Sequence, residues 1–506
     1  MPIPLVNSIA SWFLKKRFHQ IELFLKYPNE VQNELLFQLL STAKDTEIGR
    51  MYDFNSISSY EIFSERIPIS SYEDCQEMIE RSRRGEHNIF WPNPIKWFAK
   101  SSGTTNAKSK FIPVSTESLE DCHYAASKDL LCMYLNNNED SQLFTGKSLR
   151  LGGSKELYKE NGTVFGDLSA ILIDNMPFWA EFSSTPSSKV SLMSDWEVKM
   201  QAIVEETRNE NVTSLAGVPS WMLVLLNNIL DSTGKDNLFD IWPNLEVYFH
   251  GGVSFVPYVD QYKTILPKSD FKYYEIYNAS EGFFAIQDQN NSSELLLMLD
   301  YGIFYEFIPM DHYGTPQQKV IPLSEVEIGK NYAVIITTNA GLWRYKIGDT
   351  VRFTSTNPYR IKVSGRTKHH INAFGEELII ENAEDALREV CCSTKAEIVD
   401  YTAAPIFMNG KNKGSHEWLI EFKKPPQDIT VFNKLLDDKL KSLNSDYEAK
   451  RLNNMTLNMP TVHVARERLF YDWLKHHDKL GGQHKIPRLS NSREYIDELL
   501  NLNSIS

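Results

Sequence analysis

The segment Tyr273-Tyr274-Glu275-Ile276-Tyr277-Asn278-Ala279-Ser280-Glu281-Gly282 joins an aromatic run to a polar turn. We predict a β-strand over Tyr273 to Tyr277, followed by a turn that offers an aromatic face, a hydroxyl and a carboxylate. In open α/β sheets, ligands bind beyond the carboxyl ends of the strands. Tyr277, Ser280 and Glu281 are therefore candidate ligand-binding residues, and Glu281 suits Mg²⁺ because this ion prefers oxygen ligands. The alternative is an ordinary polar turn that closes a strand.

Short apolar runs alternate with helical patterns around this segment, and this alternation predicts an α/β fold. Helical patterning dominates the first part of the chain, for example over Glu30 to Thr42 and Tyr72 to Arg83. Further predicted strands are Leu245 to His250, Glu294 to Leu299, Ile303 to Ile308 and Tyr332 to Thr338, and further predicted helices are Trp196 to Arg208 and Ser220 to Leu230.

The pattern changes at the polar run Ser364-Gly365-Arg366-Thr367-Lys368, which predicts a domain boundary. We place one domain over residues 1–367 and a smaller β-α-β-type domain over residues 368–506. The strands predicted around and beyond the boundary are Arg360 to Val363, Lys395 to Ala403, Trp418 to Phe422 and Thr461 to Val464, and the helices are Glu381 to Val390, Val431 to Leu443 and Ser492 to Leu502.

The composition narrows the classes of function. The 506 residues include 53 Lys and Arg against 66 Asp and Glu, which gives a net charge of −13. This charge argues against nucleic acid as the main partner, because such binding needs a concentrated basic face. No apolar stretch reaches the roughly 18 residues of a membrane span. The five cysteines are sparse and odd in number, which favours a reducing, cytoplasmic location.

Two local patterns concern packing. Apolar residues at helical spacing between Ile9 and Leu25 predict an amphipathic helix that packs on the body of the protein, with membrane-surface binding as the alternative. Adjacent Cys391 and Cys392 are interpreted as small buried hydrophobic residues, since free cysteine commonly fills that role.

The hydroxyl-rich segment from Ser101 to Lys110 is the sharpest local motif. It contains Ser101, Ser102, Gly103, Thr104 and Thr105, with Lys108 and Lys110 close behind. Small side chains let the backbone approach an anion, while hydroxyls, N–H groups and lysine supply donors and charge. This pattern predicts a phosphate-binding loop, and its alternative is a polar surface turn.

Three further motifs follow predicted strands or lie near the C-terminus. His250-Gly251-Gly252-Val253 allows a flat ligand to lie against the backbone, although paired glycines are as common in plain turns. Leu342 to Asp349 ends on an aspartate that suits two ribose hydroxyls, or else caps a helix or forms a salt bridge. Gly481 to Arg488 places Lys485 behind a double glycine, and its alternative is a solvated loop.

In this order, the motifs resemble those of the adenylate-forming superfamily, and most closely the Gretchen Hagen three family of acyl-acid amido synthetases. The family's Ser-Ser-Gly-Thr-Thr/Ser segment resembles Ser101 to Pro113, and its Tyr-x-x-Ser-Glu segment resembles Tyr277 to Glu281. Its Leu-Tyr-Arg-Tyr-Arg-x-Gly-Asp segment resembles Leu342 to Asp349, and the superfamily's hinge segment resembles Gly365 to Gly375. The resemblance covers essentially the whole chain.

The resemblance implies a large N-terminal domain, with α/β layers and a distorted β-barrel, and a small mobile C-terminal α/β domain. It also implies two half-reactions. A carboxylic acid first attacks the α-phosphate of Mg-ATP and releases pyrophosphate, and an amine, such as an amino acid, then displaces AMP. The implied partners are therefore small molecules, with ATP and Mg²⁺ as cofactors.

The resemblance also implies a role for each matching residue. In these roles, phosphates lie against Ser101, Ser102, Gly103, Thr104, Thr105 and Lys110, and adenine lies against Gly251, Gly252, Val253 and Tyr277. Ser280 contacts the α-phosphate, Glu281 holds Mg²⁺, Asp349 binds the ribose, and Arg366 supports it. Lys368 is the hinge, and Lys485 serves adenylation. Aromatic residues Trp179, Phe182 and Trp221 lie in the stretch that walls the acid pocket, although buried aromatic residues are usually core.

Departures from the family pattern limit what the resemblance implies. Ala107 replaces a frequent glycine, and Gly282 to Ala285 differ from the familiar plant sequence, so plant substrates are not implied. The family also occurs in bacteria, and the chain is interpreted as a bacterial member. An acyl-CoA ligase with a thiol acceptor and a non-catalytic ATP-binding protein of the same fold remain alternatives. Retention of Glu281, Asp349 and Lys485 argues against the second.

Overall fold

The structure, a computed structural model, describes residues 17–18, 20–101, 110–151, 157–176, 178–193, 196–252, 255, 258–367, 371, 376, 378–406, 414–444, 447–448, 451, 457–477, 479, 486–490 and 492–504. The strands are β1 Trp97–Ser101, β2 Lys110–Val114, β3 Lys147–Arg150, β4 Tyr158–Glu160, β5 Thr163–Gly166, β6 Ser184–Thr185, β7 Val212–Gly217, β8 Val247–Gly251, β9 Lys272–Ala279, β10 Gly282–Ile286, β11 Leu295–Leu297, β12 Ile303–Pro309, β13 Ile321–Pro322, β14 Asn331–Thr338, β15 Tyr345–Thr356, β16 Tyr359–Arg366, β17 Glu397–Ile406, β18 Ser415–Lys424 and β19 Thr461–Ala465.

The α-helices of this part of the chain are α1 Pro28–Ala43, α2 Glu47–Met51, α3 Tyr60–Arg66, α4 Tyr72–Arg83, α5 Ala125–Asn137, α6 Leu168–Asp174, α7 Phe178–Phe182, α8 Ser188–Ser191, α9 Trp196–Thr207, α10 Pro219–Thr233, α11 Val259–Ile265, α12 Ile380–Thr394, α13 Ile429–Leu443, α14 Leu469–His476 and α15 Glu494–Ser504. A π-helical segment, Ser118–Tyr124, leads into α5. Among the described residues, no helix has both the length and the apolar character that crossing a bilayer demands.

A twelve-stranded sheet dominates the larger unit, in the order β13-β12-β14-β15-β16-β11-β10-β9-β8-β7-β3-β6. Strands β9, β8, β7, β3 and β6 pair parallel with one another. The strands from β13 to β9 in this order pair antiparallel, so β9 joins the two halves of the sheet. Helices α9 and α10 cover one face of the parallel strands through an apolar core that includes Leu149, Leu215 and Leu225. The mixed α/β class predicted from the sequence is confirmed.

A separate four-stranded sheet, in the order β2-β1-β5-β4, carries the hydroxyl-rich segment. Strands β1 and β2 pair antiparallel, and Ser101 lies opposite Lys110 in their register. The two ends of the segment are thus held together as the base of a β-hairpin. Neither strand was predicted, because strand pairing joins β1 to β2 and to the distant β5, and the residues of one strand do not show such pairing.

The smaller unit contains a three-stranded sheet, in the order β17-β18-β19, with α12 and α13 packed in one apolar core and α14 and α15 in another. Strand β16 ends at Arg366, and Ile371 and Leu378 already belong to the core of the smaller unit. The domain boundary between residues 367 and 368 stays a prediction.

The structure agrees with the predicted packing of the N-terminal helix but not with that of the paired cysteines. The described part of the N-terminal helix, at residues 20–26, buries Ile21 and Phe24 in the main core, as packing on the body requires. The interpretation of the paired cysteines is wrong, since Cys391 is only partly buried and Cys392 is exposed. These residues lie in the last turns of α12, where one helical residue faces the core and the next faces solvent.

The residue before β15, Arg344, forms a buried ion pair with Glu306. The Arg344 guanidinium donates to Glu306 of β12 at 2.8 and 2.9 Å, and both side chains are almost fully buried. Arg344 also donates to the carbonyl oxygens of Ser64 and Ile67 at 2.6 Å, while the Tyr60 hydroxyl donates to Glu306 at 3.0 Å. One cation thus joins helix α3 to the sheet.

We predict that Arg344→Met lowers the free energy of unfolding by about 3–5 kcal/mol, because it leaves the Glu306 carboxylate buried without its counter-ion. The double change Arg344→Met with Glu306→Leu removes both charges and is expected to recover part of this loss. Urea unfolding followed by circular dichroism measures the differences. Lys319→Met is the control, since Lys319 and Glu325 form an exposed pair worth ~0–1 kcal/mol. Equal losses at the two sites contradict the prediction.

Candidate functional site

The parallel strands end along one edge of the large sheet, where β8 ends in Gly251 and β9 is followed by Ser280 and Glu281. A Cβ atom on Gly251 would lie only 2.5 Å from the carbonyl oxygen of Ile276, so no larger residue fits between the strands. Gly252 has a φ of +80°, which favours glycine. The double glycine therefore gives a ligand direct access to backbone at this edge.

Three predicted residues meet directly at this edge. The Tyr277 hydroxyl donates to Asp349 Oδ2 at 2.8 Å, and Arg366 Nε lies 2.8 Å from Asp349 Oδ1. Asp349 is 5% exposed although it is charged, and its register partner across β15 and β16 is Arg366. The Asp349 carboxylate raises the pKa of Arg366, and burial together with Asp349 raises the pKa of Tyr277. Tyr277 and Arg366 thus hold a buried aspartate in place beside the cavity.

This contact also reveals the curvature of the sheet. Tyr277 on β9 and Asp349 on β15 are four strand spacings apart in the strand order. In a flat sheet that separation would be about 19 Å, whereas their side chains form a hydrogen bond of 2.8 Å. The antiparallel half must therefore curl back on itself, and this curl is the distorted barrel that the resemblance implied.

Glu281 is the second carboxylate of the site. Burial raises the pKa of Glu281 to about 7, the nearby Asp349 carboxylate adds to the rise, and the cations Arg366 and Lys110 oppose it. The adjoining Ser280 is 8% exposed. Lys110, at the base of the hydroxyl-rich hairpin, therefore lies within electrostatic range of the turn after β9, and two separate sequence motifs converge.

Tyr72 holds this hairpin in place, and we did not predict it. Its hydroxyl accepts a hydrogen bond from the backbone N–H of Phe111 at 3.0 Å, and Lys110 Nζ lies 5.4 Å from its ring centre. A tyrosine at the start of an amphipathic helix gives no sign in the sequence that it will reach a strand so far along the chain.

A cavity of about 2230 Å³ lies over this edge. Ordinary ligand pockets have volumes of ~300–1,000 Å³, so this cavity has room for more than one substrate. Residues of both units line it: Lys110, Gly251, Gly252, Tyr277, Ser280, Glu281, Asp349 and Arg366 from the larger unit, and Glu384, Asp400, Ile486 and Arg488 from the smaller one.

The two units contact each other beside the cavity. Arg488 Nη2 donates to the Tyr258 hydroxyl at 2.8 Å and lies 3.4 Å from Asp400 Oδ1. Burial raises the pKa of Glu275 on β9 to about 7, and Glu384 on α12 adds to that rise. Tyr258 and Arg488 were not singled out in the sequence, because their pairing joins residues far apart in the chain.

Several predicted residues lie outside the described part of the chain: Ser102, Gly103, Thr104, Thr105, Val253, Lys368 and Lys485. The side chain of Ser101 and those of Trp179 and Trp221 are likewise not described. Phe182, offered as a wall of the acid pocket, is 71% exposed, and apolar residues of α5, α6 and β8 line the cavity in that region instead.

The carboxylates present are compatible with Mg²⁺. No group of three or more His, Cys, Asp or Glu that could hold a metal ion occurs in the described ranges. Mg²⁺ keeps several waters and commonly binds through one or two carboxylates plus substrate phosphates, so a three-residue group is not required. Glu281 has no ion-pair partner among the described residues, and its partly buried carboxyl group faces the cavity.

Comparison with known proteins gives matches along the chain. The GH3 family N-terminal domain matches residues 17–271, the GH3 family central domain matches residues 296–366, and the GH3 family C-terminal domain matches residues 381–494. An indole-3-acetic acid-amido synthetase of Arabidopsis thaliana is 22% identical over 92% of this chain and 90% of its own length. A jasmonoyl-L-amino acid synthetase of Nicotiana attenuata is 24% identical over 76% of this chain and 78% of its own.

Solved structures show the same fold. The GH3.15 acyl acid amido synthetase superposes with a TM-score of 0.79 at 18% identity, covering 96% of this chain and 95% of that one. A 2-hydroxyisobutyryl-CoA ligase in its postadenylation state superposes with a TM-score of 0.59 at 12% identity, covering 94% of this chain and 92% of that one. Because the three family domains together match most of its length, the chain belongs to the GH3 family.

Proposed function

We propose that this protein is an ATP-dependent acyl-acid amido synthetase, which adenylates a carboxylic acid and transfers the acyl group to an amine, such as an amino acid. The observation that carries this proposal is the convergence of Tyr277, Glu281, Asp349, Arg366 and Lys110 at one wall of a cavity. Family membership supports it, because GH3 relatives are named as amido synthetases of acids and amino acids.

The chemistry needs activation of a poor electrophile. In the first step a carboxylate oxygen forms a bond to the α-phosphorus of ATP and pyrophosphate leaves. In the second step the amine nitrogen attacks the acyl carbon, loses a proton, and AMP leaves. In-line displacement at phosphorus depends mainly on positioning and on stabilising negative charge.

The nucleotide is proposed to lie along the edge of the large sheet. Asp349 accepts hydrogen bonds from the ribose hydroxyls, and its carboxylate is held by Arg366, whose Nε lies 2.8 Å away. Adenine lies against Gly251, Gly252 and Val253 beside the ring of Tyr277. Phosphates face Ser280 and Lys110, together with the hydroxyl-rich segment Ser101 to Thr105.

Mg²⁺ is proposed to bind through Glu281 and the phosphate oxygens. When bound, this ion supplies positive charge to the phosphates during displacement. The remaining charge comes from Lys110 and from Lys485. Residue 486, directly after Lys485, lines the same cavity as Glu281 and Asp349, which supports a role for this part of the smaller unit in the first step.

We also propose a boundary at residues 367 and 368, with Lys368 as the hinge about which the smaller domain changes position. The proposed location is the cytoplasm, where ATP is available and where the five cysteines, all free in this structure, stay reduced.

The proposal is tested by measuring pyrophosphate release over a library of carboxylic acids, with and without amines and thiols, and by identifying the product. The expected result is acid-dependent pyrophosphate release and an amide product. A thioester product would instead identify an acyl-CoA ligase. ATP binding without turnover for any acid would identify a non-catalytic binding protein.

We predict that Asp349→Ala raises the ATP concentration needed for half-maximal pyrophosphate release by about 10- to 100-fold, because a buried charge-assisted hydrogen bond to the ribose is lost. Asp288→Ala is the matched control, since Asp288 forms a similar part-buried pair with Arg360 at 2.5 Å and does not line the cavity. Unchanged ATP affinity in Asp349→Ala would rule out the ribose assignment.

We predict a pH dependence at Glu281, whose carboxyl group faces Asp349, Arg366 and Lys110. Because the pKa of Glu281 rises to about 7 in the folded protein, from an ordinary value of 4.5, its ionised form opposes folding. The contribution of Glu281 to stability is therefore present below its unfolded pKa and is lost as the pH rises to about 7. Thermal unfolding of the Mg²⁺-free wild type minus that of Glu281→Gln, from acid to neutral pH, measures this trend.

The same group controls metal binding in our proposal. The apparent Mg²⁺ affinity of the ATP complex should fall up to about tenfold per pH unit below the pKa of Glu281, since the metal competes with a proton. Titration calorimetry with Mg²⁺ checks this. A Glu281→Gln variant that keeps the wild-type affinity and pH dependence would show that Glu281 is not the ligand.

We predict that Lys485→Ala slows pyrophosphate release by about 10²- to 10³-fold, as loss of one preorganised electrostatic group does elsewhere. Transfer from a synthetic acyl-adenylate to the amine should continue, because a neutral nucleophile gains little from a nearby ammonium. Lys479→Ala, which removes a lysine that packs on Trp473, is the control. Equal loss of both half-reactions in Lys485→Ala would indicate a structural role.

A further inference from the structure

Arg150 lies at the carboxyl end of β3, beside the predicted nucleotide site but not part of it. It pairs in register with Ala216 of β7, which in turn is opposite Phe249 of β8. The preceding residue, Leu149, is fully buried in the core beneath α9 and α10. Since successive side chains of a strand point to opposite faces, Arg150 projects from the other face, where it lines the cavity.

This arginine has a weak partner and no counter-ion. Its Nη1 atom donates to the thioether sulfur of Met176 at 3.2 Å. No carboxylate of the described residues forms an ion pair with it, and burial lowers the pKa of Arg150. Arg150 is partly buried and lines the cavity. An arginine that loses part of its hydration is usually paired with an anion, because a partner restores the free energy that this loss costs.

The surroundings suit the body of an organic acid. Leu130 and Leu131 of α5, Leu168 of α6 and Phe249 of β8 line the same cavity as Arg150 and the nucleotide edge. Arg150 is two strand spacings, about 10 Å, from Phe249. Apolar side chains thus share the cavity with Tyr277 and with Arg150, a cation that has no ion-pair partner among the described residues.

We propose that Arg150 binds a second anionic group at the far end of the acyl acid, so that the substrate class is the dicarboxylic acids. This inference rests on the proposed function and extends it. The reacting carboxylate lies at the α-phosphate, while the distal carboxylate forms a charge-assisted hydrogen bond with the guanidinium. We assign Arg150 to the acyl acid and not to the α-carboxylate of an acceptor amino acid, because that carboxylate is only two bonds from the amine that attacks the acyl carbon.

The test pairs each monocarboxylic acid with its dicarboxylic counterpart: hexanoic with adipic acid, octanoic with suberic acid, and phenylpropanoic with carboxyphenylpropanoic acid. Pyrophosphate release without amine isolates the first half-reaction. For at least one pair, the wild type should favour the dicarboxylic acid in kcat/KM by about 10- to 100-fold, the size of one charge-assisted hydrogen bond. Arg150→Met should abolish this preference.

Arg208→Met is the control, because Arg208 is an exposed arginine that lines the same cavity. It should keep the wild-type preference. The preferred dicarboxylic acid should raise the melting temperature of the wild type but not that of Arg150→Met. Without ligand, Arg150→Met should be at least as stable as the wild type, since it removes a cation that has no counter-ion.

Three results would overturn the proposal: a wild type that turns over monocarboxylic and dicarboxylic acids equally, a preference that survives in Arg150→Met, or a defect confined to the amide-forming step. Each leaves the proposed synthetase function intact. A wild type that releases no pyrophosphate with any acid would instead contradict the proposed function itself.

Discussion

The hydrogen bond from Tyr277 to Asp349 depends on the curvature that organises the larger unit. The two residues are on strands four spacings apart, yet their side chains are 2.8 Å apart, so the antiparallel half of the sheet has to curl toward the parallel half. The cross-strand pairing of Asp349 with Arg366 then supplies a cation beside an aspartate that is only 5% exposed. Without that curl, the turn after β9 and the end of β16 would lie on separate parts of the surface, and no single cavity would contain both.

The sequence predicted elements whose pattern is local. Helix α4 has the predicted bounds, and β12, β14 and α13 begin and end within two residues of theirs, because apolar spacing alone defines them. Strand β15 was missed: Leu342 to Asp349 was interpreted as a ligand-binding turn, with a surface turn as the alternative, yet the chain is extended from Tyr345 to Thr356. That strand is stabilised by pairing with β14 and β16 on its two sides, and such long-range pairing leaves no mark in the residues of one strand.

The candidate site shows the same difference between features that are local in the sequence and features that depend on long-range contacts. Residue types and their order predicted segments that the fold brings to one cavity, since Tyr277, Glu281 and Asp349 come from motifs that are contiguous in sequence. The environment of each group was not predictable. Glu281 acquires a raised pKa from burial beside Asp349, and Arg150 lacks a counter-ion only because no described carboxylate of the folded chain reaches it. Both properties depend on neighbours brought together by the fold, so a sequence motif names the functional groups but does not give their protonation or their pairing.

The contact between the two units combines a repulsion between carboxylates with a hydrogen bond, and both lie beside the cavity. Glu275 and Glu384 approach from opposite units, and their repulsion contributes to the raised pKa of Glu275. Arg488 of the smaller unit opposes this repulsion through its hydrogen bond to Tyr258 of the larger unit. The backbone carbonyl of Arg488 accepts a hydrogen bond from the N–H of Ala403 on β17 at 2.9 Å. The segment that follows Lys485 is therefore attached to the sheet of the smaller unit. A rotation that breaks the bond to Tyr258 would therefore withdraw this segment from the cavity and separate the two carboxylates in one motion. The contact thus sets a repulsion between carboxylates against a hydrogen bond between the units, and the rotation proposed between the two half-reactions would act on both.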